Sequence, residues 1–268
     1  PMMAAAIAAR VHYLDITGEI DVFEYASTLD AAARNANIVL CPGVGFDVIP
    51  TDCLALALKQ ALSDASSLCL GFESHSLKSP GTAKTTIEGI GTGTKIRRGG
   101  KLRSEPIGLR ARTIDFGKGS RLAAAFPWGD VSTAFKTTGI PSITVYVAVT
   151  RGFRLAMLAS NLLAPLLRLP AIRNRMLANA GAAIGPDAAA RQNAPTYLWG
   201  EVRNPSGQIR TARIRTANGY EVTVHGALAV LRHIMGRPNC EPGFVTPALL
   251  CGATLIEQLP GSGNITFA

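Results

Sequence analysis

The chain is 268 residues long, 47% hydrophobic and 17% charged, with a formal net charge of +9; that size and balance bury one large core or two modest ones and exclude a disordered chain. The positive excess suits a phosphorylated cofactor, nucleic acid or an acidic membrane face. Aromatic residues make up only 6% and the Lys and Arg residues are dispersed, so the basic stripe with interleaved stacking rings that nucleic acid requires is missing, and no nucleic-acid partner is expected.

In chain order, an Ala-rich opening reads as the tail of an incoming helix. Val11-His12-Tyr13-Leu14-Asp15-Ile16 then reads as a strand, residues 22–35 as a helix and Ile38-Val39-Leu40-Cys41 as a second strand. A strand, a helix and a strand at this spacing predict a parallel pair, and the apolar continuity of both strands predicts burial on two faces, as in a doubly wound sheet. Pro42-Gly43-Val44-Gly45-Phe46-Asp47 turns the chain into a helix over 50–62, where Pro50 suits the first turn and Asp47 or Asp52 can meet orphan amides.

From residue 67 the pattern changes to separate strands at 68–73, 111–116, 122–126, 143–149, 197–203 and 209–216, with Asn204-Pro205-Ser206-Gly207 as the turn joining the last two. The cluster Lys95, Arg97, Arg98, Lys101 and Arg103, broken by Gly99-Gly100, reads as a solvated hairpin, and Asn218-Gly219 as opening a further short strand to Val224. Helices are predicted at 82–91, 153–167, 172–182, 226–235 and 246–259, and an Ala- and Gly-rich crossing at 177–190. The fold class is therefore α/β: a remnant of a Rossmann-type parallel sheet, followed by an α+β domain on a largely antiparallel sheet. The expected division is 1–49 for the nucleotide-binding remnant, 50–225 for the substrate and dimerisation domain, and 226–268 for C-terminal helices packing back near the first.

Cys41, Cys53, Cys69, Cys240 and Cys251 form no C-x-x-C pair and mostly sit in apolar runs, which reads as buried structural thiols in a reducing cytosolic setting. No signal peptide is evident. The longest apolar run, 155–167, is shorter than the ~20 residues a helical span needs. Basic residues around it (Arg151, Arg154, Arg168, Arg173) leave several readings open, namely core helix, membrane-interface helix, lining of an acyl pocket or dimer contact. His75, His225 and His233 have no ligand-like spacing, so no metal is expected, and the absence of a nucleophile elbow argues against a hydrolase.

His12-Tyr13-Leu14-Asp15-Ile16-Thr17-Gly18-Glu19 places polar groups at the carboxyl end of a parallel strand, where open α/β sheets bind ligands. Thr17 and Glu19 can then touch a nicotinamide or its ribose; equally, Asp15 and Glu19 can cap the following helix. Gly43-x-Gly45-x-Asp47 lacks a third glycine, so as a bare motif it reads as a strand-to-helix turn. Asp47 is open to two readings, helix cap or an acid that orients substrate or water. Trp128 beside Asp130 can close a pocket or simply be core. Tyr13 and His12 are candidate proton donors, and alternation along a strand lets at most one face a given site.

Taken together, H-Y-L-D-I-T-G-E at 12–19 and P-G-V-G-F-D-V-I-P-T-D-C at 42–53 resemble the saccharopine dehydrogenase-like family, especially its trans-acting enoyl reductase branch. The likeness continues in Gly81-Thr82-Ala83 with Glu88, Ile114-Asp115-Phe116-Gly117, Pro127-Trp128-Gly129-Asp130-Val131-Ser132-Thr133, Thr138-Gly139-Ile140-Pro141 and Gly243-Phe244-Val245-Thr246-Pro247. The resemblance implies an oxidoreductase that transfers hydride from NAD(P)H, NADP preferred, to a hydrophobic acyl or enoyl-type substrate. It places Asp15, Glu19 and Asp47 in catalytic roles, Thr17, Gly18, Gly43, Val44, Gly45 and Phe46 on the cofactor, and Trp128 and Asp130 on the substrate.

The strand and glycine-rich loop with which the family begins have no room ahead of His12. The expectation is a fragment of a full reductase, against a natural module that binds lipid or a partner chain without catalysis. The open sheet edge such a chain would leave predicts a homodimer, in the cytoplasm or membrane-associated.

Overall fold

The computed structural model describes residues 1–74, 93–167, 169, 172, 174–175, 194–237 and 240–268. The opening segment is helix α1 (Met2–Ala9). Strand β1 is only Tyr13–Leu14, shorter at both ends than expected, because its flanking residues use side chains for what the backbone would do. The amide of Val39 donates to Nδ1 of His12 at 2.9 Å, and Asp15 folds its carboxylate back onto the amide of Thr17 at 2.9 Å, ending the strand.

The single helix expected at 22–35 is two, α2 (Ile20–Thr28) and α3 (Asp30–Asn35). Ser27 and Thr28 donate their hydroxyls back to the carbonyls of Glu24 and Tyr25, which competes with the helical ladder. Asp30 then restarts the chain with its carboxylate bound to the distant amide of Phe244, at 2.7 Å.

Strand β2 (Val39–Cys41) is fully buried and pairs with β1 in parallel, Tyr13 opposite Leu40. Its other edge takes β11 (Gly243–Phe244), also parallel, Phe244 opposite Leu40, so the small sheet runs β1-β2-β11. Helix α4 (Ile49–Ala61) follows with Pro50 in its first turn. It buries Cys53, Leu54 and Leu58 against the second sheet and against the C-terminal helices.

That second sheet has nine strands among the described residues: β3 (Ser67–Ser74), β4 (Thr94–Arg98), β5 (Lys101–Glu105), β6 (Ala111–Asp115), β7 (Ser120–Ala125), β8 (Ser142–Ala148), β9 (Thr196–Arg203), β10 (Ile209–Thr216) and β12 (Thr266–Phe267). Every pairing is antiparallel except β3 with β8. The basic cluster at 95–103 forms the β4–β5 hairpin as expected. Helix α5 (Asp130–Thr138) lies between β7 and β8, and α6 (Arg151–Leu162) and α7 (Ala164–Leu167) follow β8, separated at Leu163, with Pro165 in the first turn of α7, where its missing N–H is tolerated.

The strand expected after Asn218 is instead helix α8 (Gly219–Gly236). Val222-Thr223-Val224 favours strand locally, but burial of Val222, Gly226, Val230 and Ile234, four residues apart, is a helical stripe. Asn218 caps it, its side-chain oxygen accepting from the amide of Tyr220 at 2.9 Å. Replacing Asn218 with Ala is expected to cost about 1 kcal/mol and lower Tm by roughly 2–4 °C in calorimetry.

The helix expected at 246–259 breaks at Gly252 (φ 91°, ψ 164°) into α9 (Pro247–Cys251) and a 3-10 segment, Ala253–Gln258. The helix expected at 82–91, most of that at 172–182 and the stretch at 177–190 lie outside the described residues. No helix among the described residues is long and apolar enough to cross a membrane.

Candidate active site

The carboxyl ends of β1 and β2 deliver two loops, residues 15–19 and 42–48, and Asp15 joins them. Its Oδ1 accepts from the amides of Thr17 and Gly43, both at 2.9 Å, its Oδ2 accepts from the hydroxyl of Tyr13 at 2.7 Å, and its backbone carbonyl accepts from the amide of Val44 at 2.8 Å. Such a carboxylate holds loops in register. Tyr13 keeps its proton, because burial and then the adjacent Asp15 push its hydroxyl up to about 12. Neither Asp15 nor Glu19 caps α2 through its side chain; Glu19 occupies the cap position, and its amide donates to Thr17 Oγ1 at 3.2 Å.

The glycine turn is sealed underneath. Gly43, Val44 and Gly45 are buried, and Gly43 has φ +78°, with Phe23 and Val48 against the side where a Cβ would stand. The amide of Phe46 donates to Thr223 Oγ1 at 3.0 Å, and those of Val48 and Ile49 donate to the carbonyl of Gly45. Thr223, on α8, is a site neighbour that the sequence reading missed; its signal was the helical stripe that contradicts a strand there. With the amides of Gly43, Val44, Phe46, Val48 and Ile49 all bonded internally, this turn offers no run of free donors for a diphosphate.

Asp47 differs from the other acids. It is half-buried, its carboxylate lies against Gly18, where a Cβ would come within 2.7 Å of Oδ2, and no group among the described residues hydrogen-bonds it. Burial, and then the like charge of Glu19, lift its pKa to about 6. It does not cap α4, whose N-terminus has no side-chain cap.

Behind Asp47 lie two deeper carboxyls. Asp52 is fully buried, accepts from the hydroxyl of Thr137 and from the amide of Ala248 at 3.0 Å, and is raised to about 6 by burial against those bonds. Asp130, expected beside a substrate pocket, is fully buried at the start of α5, and one of its oxygens, Oδ2, has no hydrogen-bond partner among the described residues. Burial, with Asp52 and Asp47 nearby, holds it well above the carboxylate range.

Trp128, two residues earlier, is half-buried and packs on Phe72 with ring centroids 4.7 Å apart; Phe126 lies on its other side, and Phe46 meets Phe72 edge-on at 5.9 Å. The sequence-predicted Phe46 and Trp128 thus belong to one aromatic wall, joined by Phe72 and Phe126, which were not singled out.

Two clefts of about 330 and 290 Å³ share Lys136 and Phe244 away from these loops. In them Arg34 pairs with Asp30 and Glu241, and Arg97 with Glu24, and neither cleft is lined by a residue of the two loops. No group of three metal-ligating side chains occurs among the described residues.

No family model matches the chain, and no curated protein matches it significantly. Among solved structures, apo saccharopine dehydrogenase (L-Glu forming) from Saccharomyces cerevisiae aligns over 99% of this chain and 81% of its own, with TM-score 0.57 and 11% identity. GenD2 from gentamicin A biosynthesis, in complex with NAD, aligns over 97% and 71%, with TM-score 0.33 and 16% identity. A dehydrogenase from Chromobacterium violaceum aligns over 81% and 52%, with TM-score 0.28 and 11% identity. The first likeness shows a shared fold, that of saccharopine dehydrogenase; the TM-scores of the others are too low to add to it.

Proposed function

We propose that the chain is the substrate-side part of a nicotinamide-dependent oxidoreductase whose proton-transfer group is Asp47. The observation that carries the reading is an unpartnered carboxyl, raised to about 6, on the loop at the carboxyl ends of two parallel strands. Fold likeness to a dehydrogenase supports it, although fold alone does not give function. A bound nicotinamide would supply hydride, with Thr17, Gly18 and Glu19 as its neighbours and NADPH the preferred form.

Asp47 holds the proton that reduction of a polarised double bond requires at the second atom, and near neutrality it both gives and regains one. Asp15 keeps loop and turn in register, and the wall of Phe46, Phe72, Phe126 and Trp128 excludes water and favours a hydrophobic acyl or enoyl-type substrate. The internally bonded amides of the glycine turn favour a second reading, a non-catalytic module that binds lipid or a partner.

Titration of the chain with NADPH and with NADH, followed by nicotinamide fluorescence, separates the two. Saturable binding supports the oxidoreductase for the chain as it stands, and no binding supports either a fragment, whose activity belongs to a longer parent, or the module. Where binding is found, Asp47→Asn is expected to leave it unchanged while lowering kcat on an α,β-unsaturated acyl thioester by about 100-fold, and to remove the pH-rate limb near 6.

A further inference from the structure

Helix α6 is built inside out. Its polar side chains face the body of the protein: Arg154 Nε donates to the carbonyl of Gly108 at 3.1 Å, and Asn161 Nδ2 donates to the carbonyl of Ile107 at 2.9 Å while its Oδ1 accepts the amide of the same residue at 3.0 Å. Ser160 bonds back to Met157, the helix's one buried residue. The outward side, at the spacing of Arg151, Leu155, Ala159 and Leu162, is apolar but for its first member. Leu155 is 66% exposed, Leu162 85% and the adjoining Leu163 50%. A surface helix ordinarily turns the opposite way, polar side to water. Single exposed leucines need no explanation, but an apolar stripe the length of a helix does.

The charge around this helix identifies what covers it. From the start of this helix to Asp187 the sequence has no acidic residue, while Arg151, Arg154, Arg168, Arg173 and Arg175 fall in that interval, of which Arg154 is turned to the body of the protein by its bond to Gly108. A second copy would bring the same positive field against itself. An anionic lipid surface is complementary to it and takes the leucines as well.

We propose that α6 lies flat in the headgroup region of an anionic bilayer, with Leu155, Leu162 and Leu163 dipping into the acyl boundary and Arg151 pairing with headgroup phosphate or carboxylate. At 12 residues the helix is about 18 Å long, which suits lying on a membrane and not crossing it.

Co-sedimentation of the whole chain with phosphatidylcholine vesicles, with and without phosphatidylserine, tests this independently of nucleotide binding. The chain is expected to pellet with the phosphatidylserine vesicles, and to release as salt rises. Leu155→Asp and Leu162→Asp, whose side chains meet solvent, are expected to keep the wild-type Tm and each to weaken binding about tenfold or more. Arg151→Glu is expected to weaken it without touching the apolar stripe. Failure to pellet with phosphatidylserine vesicles, or equal binding to phosphatidylcholine alone, overturns the proposal. So does concentration-dependent self-association in light scattering that Leu155→Asp abolishes while vesicles leave the chain in solution.

Discussion

Gly43→Ala is expected to destabilise the protein by about 3 kcal/mol and to lower Tm by roughly 6–12 °C. Two effects add. The residue sits at φ +78°, where a side chain costs about 1–2 kcal/mol. The new Cβ would also fall 2.7 Å from Cγ2 of Val48 and within 3.0 Å of the Phe23 ring, both buried and unable to yield. Gly139→Ala is the control, with φ +68° and nothing within 4 Å of the added carbon. Calorimetry should find the first variant the less stable by about 1–2 kcal/mol. Equal losses would mean that the seat under the turn is soft and that packing against Phe23 does not fix the loop. Displacing Gly43 also moves its amide off Asp15, so the altered turn should carry a functional defect beyond its stability.

The second large effect concerns Asp52 and runs against the usual acid-denaturation trend. Its folded pKa, about 6, lies above the value of an unfolded aspartate. Between about pH 4 and 6 the native carboxyl keeps its proton while the unfolded one gives it up. The folded state then binds more protons, and stability falls as pH rises through that window, by on the order of 3 kcal/mol. Asp130 shifts in the same direction. Asp30 and Glu105 shift the opposite way, the first, against some burial, through Arg34 and the Phe244 amide and the second through Arg110, but both keep contact with solvent, which weakens their effect.

Asp52→Asn isolates the contribution, because asparagine does not titrate. Its amide oxygen can accept the Ala248 N–H while its NH2 faces the Thr137 hydroxyl, so it stands in for the protonated carboxyl. The variant should be close to wild type at pH 4 and clearly more stable than it at pH 7, in urea midpoints. Parallel curves for the two proteins would refute the assignment.

Much of the frame was legible in the sequence. Apolar runs at 38–41 and around Leu14 announced a parallel pair, of which β2 is fully buried and β1 only partly, and β3, β6 to β10 and the β4–β5 hairpin follow from alternation and turn residues. What failed did so where a distant partner outweighed local preference. Val222-Thr223-Val224 is strand-forming on its own and helical because Val222 and Gly226 pack on the core formed with α4. Gly243–Phe244, two residues led by a glycine, has no strand signal and pairs only because β2 offers a free edge.

At the site, the grouping of Asp15, Gly18, Gly43 and Asp47 was readable from position along the strands. That Asp15 would be saturated and Asp47 left open was not, since it depends on which amides lie within 3 Å. Burial of Asp130 was equally hidden, because an acid in the first turn of a helix is ordinarily solvated.

The small sheet also sets a timetable. Its strands come from residues 13–14, 39–41 and 243–244, so the third is synthesised about 200 residues after the second. At roughly 5–20 residues per second, the edge of β2 waits on the order of ten seconds or more for its neighbour. Meanwhile the antiparallel sheet, joined mostly by nearer contacts, has time to form. Until that neighbour arrives β2 has an unpaired apolar edge, and in the cell this interval, not the finished protein, is when a chaperone has most to shield.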